Sequence, residues 1–210
     1  MHEVILSMNP AVLYLLTFVV GYLFGSIMFA LIFSKAVKGI DVRTVGNKNP
    51  GAGNTYRNVG PVWGILTGIL DACKSLVPLL IGKYVFHLPT LALGFMAFGA
   101  VIGHGFPIYF GFRGGRSAAT MLGVLVFFVP IPFLVGFIVG PVIVLSFIKT
   151  NRSYWFPFWI ITITTITTLV THHPLQVKLI VIVCAILALF LNRTYLPKMV
   201  KNIIRKTEEQ

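Results

Sequence analysis

Long apolar stretches alternate with short polar segments along the whole chain. The apolar stretches cover residues 11–33, 61–82, 91–110, 117–148, 155–170 and 179–191. About 20 apolar residues in a helix span the hydrocarbon core of a bilayer. The stretch 117–148 is too long for one crossing, and Pro130 and Pro132 interrupt it near its middle, so it predicts two short spans joined by a tight turn. We predict an all-α polytopic membrane protein with about seven transmembrane helices (five to seven), forming a single integral-membrane domain over residues 1–210.

Composition supports this class, and the basic residues predict an orientation. Hydrophobic residues make up 57% of the chain and charged residues only 10%, against about 25% charged in soluble domains. If the amino terminus is outside, 14 of the 17 Lys and Arg fall in the inside segments 34–60, 111–117, 149–154 and 192–210. Basic residues accumulate in cytoplasmic loops, which predicts an outside amino terminus and a cytoplasmic carboxyl terminus. The net charge of +12 therefore reflects orientation and anionic lipids or substrates, and we expect no nucleic-acid partner.

Two glycine-bearing polar loops fall on the same predicted cytoplasmic side. The first, 43–58, contains the Gly- and Asn-rich run GNKNPGAGN, and the second, GFRGGRS, directly precedes an apolar helix starting at Ala118. Glycines let backbone N–H groups approach a ligand, a helix amino terminus favours an anion, and arginine pairs with phosphate through two hydrogen bonds. This pattern predicts a phosphate site. The alternative is that both loops are basic turns whose glycines only reverse the chain.

Three ionisable residues lie inside the predicted spans. Asp71 and Lys74 are one helical turn apart and share a face. Ionisable side chains at such a depth are costly and usually mark a functional site, although a self-neutralised structural pair is the alternative. His104 lies near the cytoplasmic end of its span. A single histidine of this kind is either a packing residue or an acid–base group beside the Arg-Gly-Gly loop.

The scarcity of acidic residues and the absence of a nucleotide-binding motif limit the reactions that a site in this chain could catalyse. The chain has five acidic residues, Glu3, Asp41, Asp71, Glu208 and Glu209, and they do not cluster within the predicted fold. Metal-dependent phosphoryl chemistry needs clustered carboxylates, and no nucleotide-binding loop of the type GxxxxGK[ST] is present. We therefore expect a site without metal or cofactor, built from cations, amides and hydroxyls, that acts on an anionic substrate already activated for transfer.

Three stretches of the sequence resemble a known family. They are GYLFGSIMFALIFSKAVKGIDVRTVGNKNPGAGNTYRNVG, DACKS and VIGHGFPIYFGFRGGRSAATMLGV. In order and spacing they are similar to the bacterial acyl-phosphate:glycerol-3-phosphate acyltransferases of the PlsY type. The resemblance implies transfer of an acyl group from acyl phosphate to the 1-hydroxyl of glycerol 3-phosphate, giving lysophosphatidate for phospholipid biosynthesis without metal or acyl-CoA. It also implies a multi-pass location in the bacterial inner membrane, among membrane lipids, with the active-site loops facing the cytoplasm.

The resemblance assigns roles residue by residue. The catalytic candidates are His104, Ser26 and Asn202. The matching intramembrane polar pair is Asp71 and Lys74. The candidates for binding substrate phosphate are Arg43, Gly46, Asn49, Gly51, Asn54, Arg113, Gly114, Gly115, Arg116 and Thr120.

The match is strongest in the motif loops 43–58 and 111–120 and weaker in the carboxyl-terminal one, 192–206. In the 111–120 loop, Arg116 stands where the family has a lysine. In the tail, Met199 and Val200 occupy the places of a family histidine and arginine. A competing interpretation is therefore a non-catalytic or transport paralogue that binds a phosphorylated metabolite or lipid head group. We find no inverted repeat of the kind that many transporters contain.

Overall fold

The computed structural model describes residues 8–149 and 152–192. All regular structure within these residues is helical. A short 3₁₀ turn, Ile108–Phe110, follows the fifth helix. The α-helices are α1 (Pro10–Gly25), α2 (Phe29–Lys38), α3 (Ala52–Asn58), α4 (Pro61–Tyr84), α5 (Thr90–Gly105), α6 (Ala118–Phe128), α7 (Pro130–Phe147), α8 (Arg152–Val170) and α9 (Leu175–Leu191).

The apolar helices coincide with the predicted apolar stretches. Among the described residues, four segments are long and apolar enough to cross a bilayer by length and composition: Pro10–Lys38, Pro61–Tyr84, Thr90–Phe110 and Pro130–Phe147. Three apolar helices are shorter: Ala118–Phe128, Tyr154–Val170 and Leu175–Leu191. The predicted division of 117–148 is confirmed, because α6 ends at Phe128 and Pro130 begins α7.

The first predicted span is interrupted, which the sequence analysis did not anticipate. α1 ends at Gly25 and α2 begins at Phe29. A break leaves backbone carbonyl groups without their helical partners, and inside a membrane such groups must be satisfied by other protein atoms. Here Lys74 Nζ of α4 donates a hydrogen bond of 2.7 Å to the carbonyl oxygen of Ile27. The break is therefore stabilised by an ionisable side chain that is distant in sequence.

The polar loop 43–58 is more regular than we predicted, because its second half forms α3. Asn54 in this helix is buried, and its Nδ2 donates to the carbonyl oxygens of Val42 at 2.8 Å and Val45 at 3.1 Å. Its Oδ1 accepts from the backbone N–H of Asn47 at 3.3 Å. Asn54 thereby joins the two halves of the loop. A helix of seven residues with Gly and Asn in its sequence carries too weak a propensity signal to be predicted.

Glycines allow the central helices to approach closely. A Cβ placed on Gly21 or Gly25 of α1 would overlap the backbone of α5 at Met96 or Ala100, and one on Gly123 of α6 would overlap Ala72 of α4. Small residues permit this backbone contact between membrane helices. As a result α1 packs closely against α5, and α6 packs closely against α4.

Candidate active site

A cavity of about 330 Å³ opens beside the carboxyl-terminal end of α5. Its polar and charged side chains are Asn49, Asp71, His104, Arg116, Tyr154 and Asn192. Most of the remaining lining is apolar, including Leu122, Pro157, Phe158, Ile161 and Leu189. Such a combination of a few convergent polar groups with an apolar wall is typical of a small-molecule site, and it suits an amphiphilic ligand.

His104 is held by side chains from two other helices. It is 3% exposed. Its Nδ1 is 3.2 Å from Thr120 Oγ1 of α6 and 3.9 Å from Asp71 Oδ1 of α4. The ring therefore has a fixed orientation in the cavity wall, and Nδ1 is the nitrogen that faces the hydroxyl and the carboxylate.

Asp71 and Lys74 form a buried ion pair, with Lys74 Nζ 3.1 Å from Asp71 Oδ1. Their side chains are only 2% and 1% exposed, so each charge depends on the other for compensation. Asp71 lines the cavity, whereas Lys74 binds Ile27 at the α1–α2 break. The pair is thus both a structural brace and a neighbour of His104.

Arg43 connects the two polar loops, 43–58 and 111–120. Its Nη1 donates to the carbonyl oxygens of Phe110 at 3.0 Å and Arg113 at 3.2 Å. Its Nη2 is 2.7 Å from Asp41 Oδ2. The side-chain hydrogen bond from Arg43 is the main cause that lowers the pKa of Asp41 below its ordinary value. In this arrangement the guanidinium holds the loops together and does not line the cavity.

The Arg-Gly-Gly-Arg loop differs from our prediction in its backbone. We expected the amides of Gly114 and Gly115 to bind phosphate, but they donate to the carbonyl oxygens of Gly105 and His104 at 3.2 and 2.9 Å. These bonds satisfy the end of α5, which otherwise lacks partners for its last carbonyl groups. A Cβ on Gly115 would overlap the His104 ring, so glycine is required for this close contact. Arg113 is exposed, whereas Arg116 lines the cavity.

The remaining candidates occupy supporting positions. Ser26 is fully buried at the α1–α2 break, where its Oγ donates to the carbonyl oxygen of Tyr22 at 2.8 Å and accepts from the N–H of Ile108 at 3.3 Å. Gly46 has a φ of +57° and lies against Asn54, so a larger residue there would be strained.

The structure thus brings some of the predicted site residues together at the cavity and leaves others behind them. Those that line the cavity are Asn49, Gly51, Asp71, His104 and Arg116. Those that lie outside its lining are Ser26, Arg43, Gly46, Asn54, Lys74, Arg113, Gly114, Gly115 and Thr120. Asn202 lies outside the described residues.

Sequence reasoning missed two cavity residues, Tyr154 and Asn192. Tyr154 follows Ser153 in a stretch that only weakly resembles the family, and Asn192 directly follows α9. No spacing pattern connects either residue to the Arg-Gly-Gly-Arg loop. Only the packing of α8 and α9 against the loop brings them to Arg116.

Comparison with known proteins identifies the family. The model of the family described as glycerol-3-phosphate acyltransferase matches residues 15–205. The chain is 34% identical over 200 residues to a glycerol-3-phosphate acyltransferase of Shouchella clausii (strain KSM-K16). The aligned region covers 90% of this chain and 94% of that protein. This chain belongs to the glycerol-3-phosphate acyltransferase family. The resemblance stated from the motifs is therefore confirmed.

Two solved structures extend this family assignment to the fold. Both are crystal structures of PlsY (YgiH), an integral membrane glycerol 3-phosphate acyltransferase. The glycerol 3-phosphate form has a TM-score of 0.81 at 32% sequence identity and covers 90% of this chain and 92% of that chain. The lysophosphatidic acid form has a TM-score of 0.79 at 31% identity with the same coverage, 90% and 92%. The prediction of an all-helical integral membrane protein is confirmed for the described residues of this acyltransferase.

Proposed function

We propose that this chain transfers an acyl group from acyl phosphate to the 1-hydroxyl of glycerol 3-phosphate and forms lysophosphatidate. Membership of the glycerol-3-phosphate acyltransferase family supports the acceptor and the reaction class. One observation supports the amphiphilic donor. The polar side chains of His104, Arg116 and Asn49 line the same cavity as apolar side chains of α6, α8 and α9. A phosphorylated head group and an acyl chain need both kinds of surface.

The reaction requires little covalent chemistry from the protein. The 1-hydroxyl oxygen of glycerol 3-phosphate bonds to the acyl carbon, and the bond from that carbon to the phosphate oxygen breaks. Inorganic phosphate leaves, and the hydroxyl proton passes to a base. Because the donor already carries a good leaving group, the protein acts mainly by orienting two anions and stabilising developing charge.

In this proposal the cavity residues have distinct roles. Arg116 and Asn49 bind the phosphate of the donor, and the apolar lining holds the proximal part of its acyl chain. His104 accepts the hydroxyl proton. The contacts of its Nδ1 with Thr120 and Asp71 fix the ring for this task, because a base must be held within hydrogen-bonding reach of the proton it removes.

The residues behind the cavity position these groups. Arg43 joins the loops and, with the exposed Arg113, offers positive charge to the phosphate of glycerol 3-phosphate at the cytoplasmic surface. Asn54 and Gly46 maintain the fold of the 43–58 loop. Ser26 anchors the segment after α5 to the α1–α2 break through the Ile108 amide.

The proposed topology is about seven membrane-spanning segments (five to seven), with the amino terminus outside and the carboxyl terminus in the cytoplasm. The charge distribution supports it, since 14 of the 17 Lys and Arg fall on the side assigned to the cytoplasm. The 43–58 and 111–120 loops then face the cytoplasm, and residues 1–210 form one domain in a bacterial inner membrane. Water-soluble glycerol 3-phosphate reaches the site from that side, and acyl phosphate reaches it from the lipid phase.

The purified protein tests this function directly. It is given palmitoyl phosphate with and without glycerol 3-phosphate, and inorganic phosphate and lysophosphatidate are measured. We expect phosphate release that depends on the acceptor, matches lysophosphatidate formation, and is strongly reduced in Arg116→Ala but retained in Lys83→Ala, which changes an exposed lysine at the end of α4. Folded protein that releases no phosphate with any acceptor would overturn the proposal, and binding without turnover would favour a binding paralogue.

A further inference from the structure

Arg116 is held from two sides by residues of the carboxyl-terminal third. Its guanidinium carbon lies 5.7 Å from the centroid of the Tyr154 ring. Its backbone carbonyl oxygen accepts a hydrogen bond of 3.3 Å from Asn192 Nδ2, and the same amide nitrogen donates to the carbonyl oxygen of Ala188 at 2.7 Å. Arg116, Tyr154 and Asn192 all line the cavity. The contacts therefore connect the start of α8 and the end of α9 to the candidate phosphate-binding residue.

The chemistry of this arrangement favours arginine over lysine. A guanidinium group is planar and weakly hydrated, so it stacks on an aromatic face, whereas an ammonium group is a compact and strongly hydrated point charge. Tyr154 is 6% exposed, and a cation–π contact strengthens when it is removed from water. The family that this chain resembles has lysine at the position of Arg116. In this chain the arginine lies within cation–π distance of an aromatic ring.

We propose that Tyr154 and Asn192 are positioning residues that fix the Arg116 guanidinium for the donor phosphate and so determine the affinity for acyl phosphate. This inference rests on the proposed function, in which Arg116 binds that phosphate. Asn192 holds the backbone of Arg116, and the Tyr154 ring limits the rotamers of its side chain. A long side chain that is pre-organised loses less conformational freedom when its ligand binds.

The inference predicts a specific kinetic signature at Tyr154. Tyr154→Leu removes the ring and should raise the KM for palmitoyl phosphate by about 2- to 30-fold, the range equivalent to a cation–π contact. The KM for glycerol 3-phosphate should change much less, because its phosphate does not bind Arg116. Tyr154→Phe keeps the aromatic face and should retain the KM of the unchanged chain. Tyr84→Leu is the matched control, since Tyr84 is exposed and contacts Lys83 at 5.1 Å at the end of α4.

A double-mutant cycle separates positioning from general structural damage. In the Arg116→Gln background, Tyr154→Leu should raise the KM for palmitoyl phosphate by a much smaller factor than in the unchanged chain, since no cation is left over the Tyr154 ring. Equal factors in both backgrounds would overturn the inference.

Fluorinated phenylalanines incorporated at 154 provide a second measurement on a folded protein. The KM for palmitoyl phosphate should rise as fluorine withdraws charge from the ring face, and a flat series would contradict the cation–π role.

The same experiments distinguish failure of this inference from failure of the proposed function. If Arg116→Ala leaves the KM for palmitoyl phosphate unchanged, the phosphate assignment of Arg116 is wrong and the inference falls with it. If Arg116→Ala raises that KM while Tyr154→Leu behaves like Tyr84→Leu, the proposed function survives and only the positioning role is overturned. Asn192→Ala should also raise the KM for palmitoyl phosphate. Thermal unfolding in detergent checks that each variant is folded.

Discussion

Lys74 Nζ donates a hydrogen bond of 2.7 Å to the carbonyl oxygen of Ile27, at the break between α1 and α2. The same ammonium group lies 3.1 Å from Asp71 Oδ1, and that oxygen is 3.9 Å from Nδ1 of His104. One buried charge pair therefore connects the break in the first membrane segment to the candidate active site. A change in this pair should affect both stability and catalysis.

Replacement of Lys74 by methionine tests the structural half of this connection. Lys74→Met keeps most of the length of the side chain but leaves the Asp71 carboxylate buried without its cation and the Ile27 carbonyl without its donor. Removing one partner of a buried ion pair typically destabilises a protein by about 3–5 kcal/mol. We expect a correspondingly large fall in the midpoint of thermal unfolding in detergent.

Two further variants make that measurement specific. Lys83→Met changes an exposed lysine on the same helix and should leave the unfolding midpoint nearly unchanged. Asp71→Asn combined with Lys74→Met removes both charges and should recover part of the lost stability, because no unpaired charge stays buried. If the double variant is less stable than Lys74→Met by the full effect of Asp71→Asn alone, the two residues do not act as a pair.

His104 can be tested as the proton acceptor. His104→Gln keeps a polar side chain of similar size but cannot act as a base near neutral pH. General acid–base catalysis contributes about 10²- to 10⁴-fold to rate, so kcat for lysophosphatidate formation should fall by a factor in that range. The limb of the pH–kcat profile that reports the base should disappear. A profile of unchanged shape in the variant would assign the base to a phosphate of the substrate instead.

Features of this chain that depend on neighbouring residues could be predicted from the sequence, whereas contacts between distant residues could not. The apolar stretches, the break at Pro130 and the sharing of one face by Asp71 and Lys74 could all be predicted, because each depends on residues close together in the chain. The contact of Lys74 with Ile27 and the cation–π contact of Arg116 with Tyr154 join residues far apart in sequence. Only helix packing brings such groups together, and no spacing rule encodes it.

The Arg-Gly-Gly-Arg loop shows a second limit of sequence reasoning. Glycine and arginine next to a helix start are typical of phosphate loops, and Arg116 does line the cavity. However, the same glycines are also suited to close contact with neighbouring backbone, and Gly114 and Gly115 donate their amides to the end of α5. The sequence indicates that these N–H groups need partners, but it does not reveal whether the partner is a ligand or another helix.

The Asp41–Arg43 pair predicts a small pH dependence of stability. The hydrogen bond from Arg43 lowers the pKa of Asp41 below its ordinary value of 3.8. A carboxyl group whose pKa is lowered by folding stabilises the protein above its ordinary pKa, and this contribution is lost as the pH falls through the lowered value. Between pH 6 and pH 3, Asp41→Asn should therefore show a smaller fall in unfolding midpoint than the unchanged chain.

The expected difference is modest, because the side chains of Arg43 and Asp41 are 27% and 39% exposed and water screens such pairs. Arg43→Gln should remove the same pH-dependent component, so adding Asp41→Asn to it should have no further effect on the pH dependence. If Arg43→Gln retains the full acid-side fall and Asp41→Asn does not, another group lowers the pKa of Asp41.

The apolar wall of the cavity should select acyl chains by length. Leu122 of α6 and Ile161 of α8 both line the cavity, and a phenylalanine at 122 adds volume in the space proposed for the acyl chain. Leu122→Phe should lower kcat/KM for palmitoyl phosphate more than for shorter acyl phosphates, because each methylene group that can no longer be buried loses about 0.8 kcal/mol. The measurement is the ratio of kcat/KM for palmitoyl and decanoyl phosphate.

Leu134→Phe, on the exposed face of α7, is the control and should keep the ratio of the unchanged chain. An equal loss for both donors in Leu122→Phe would place the acyl chain elsewhere, in contact with lipid and outside this cavity.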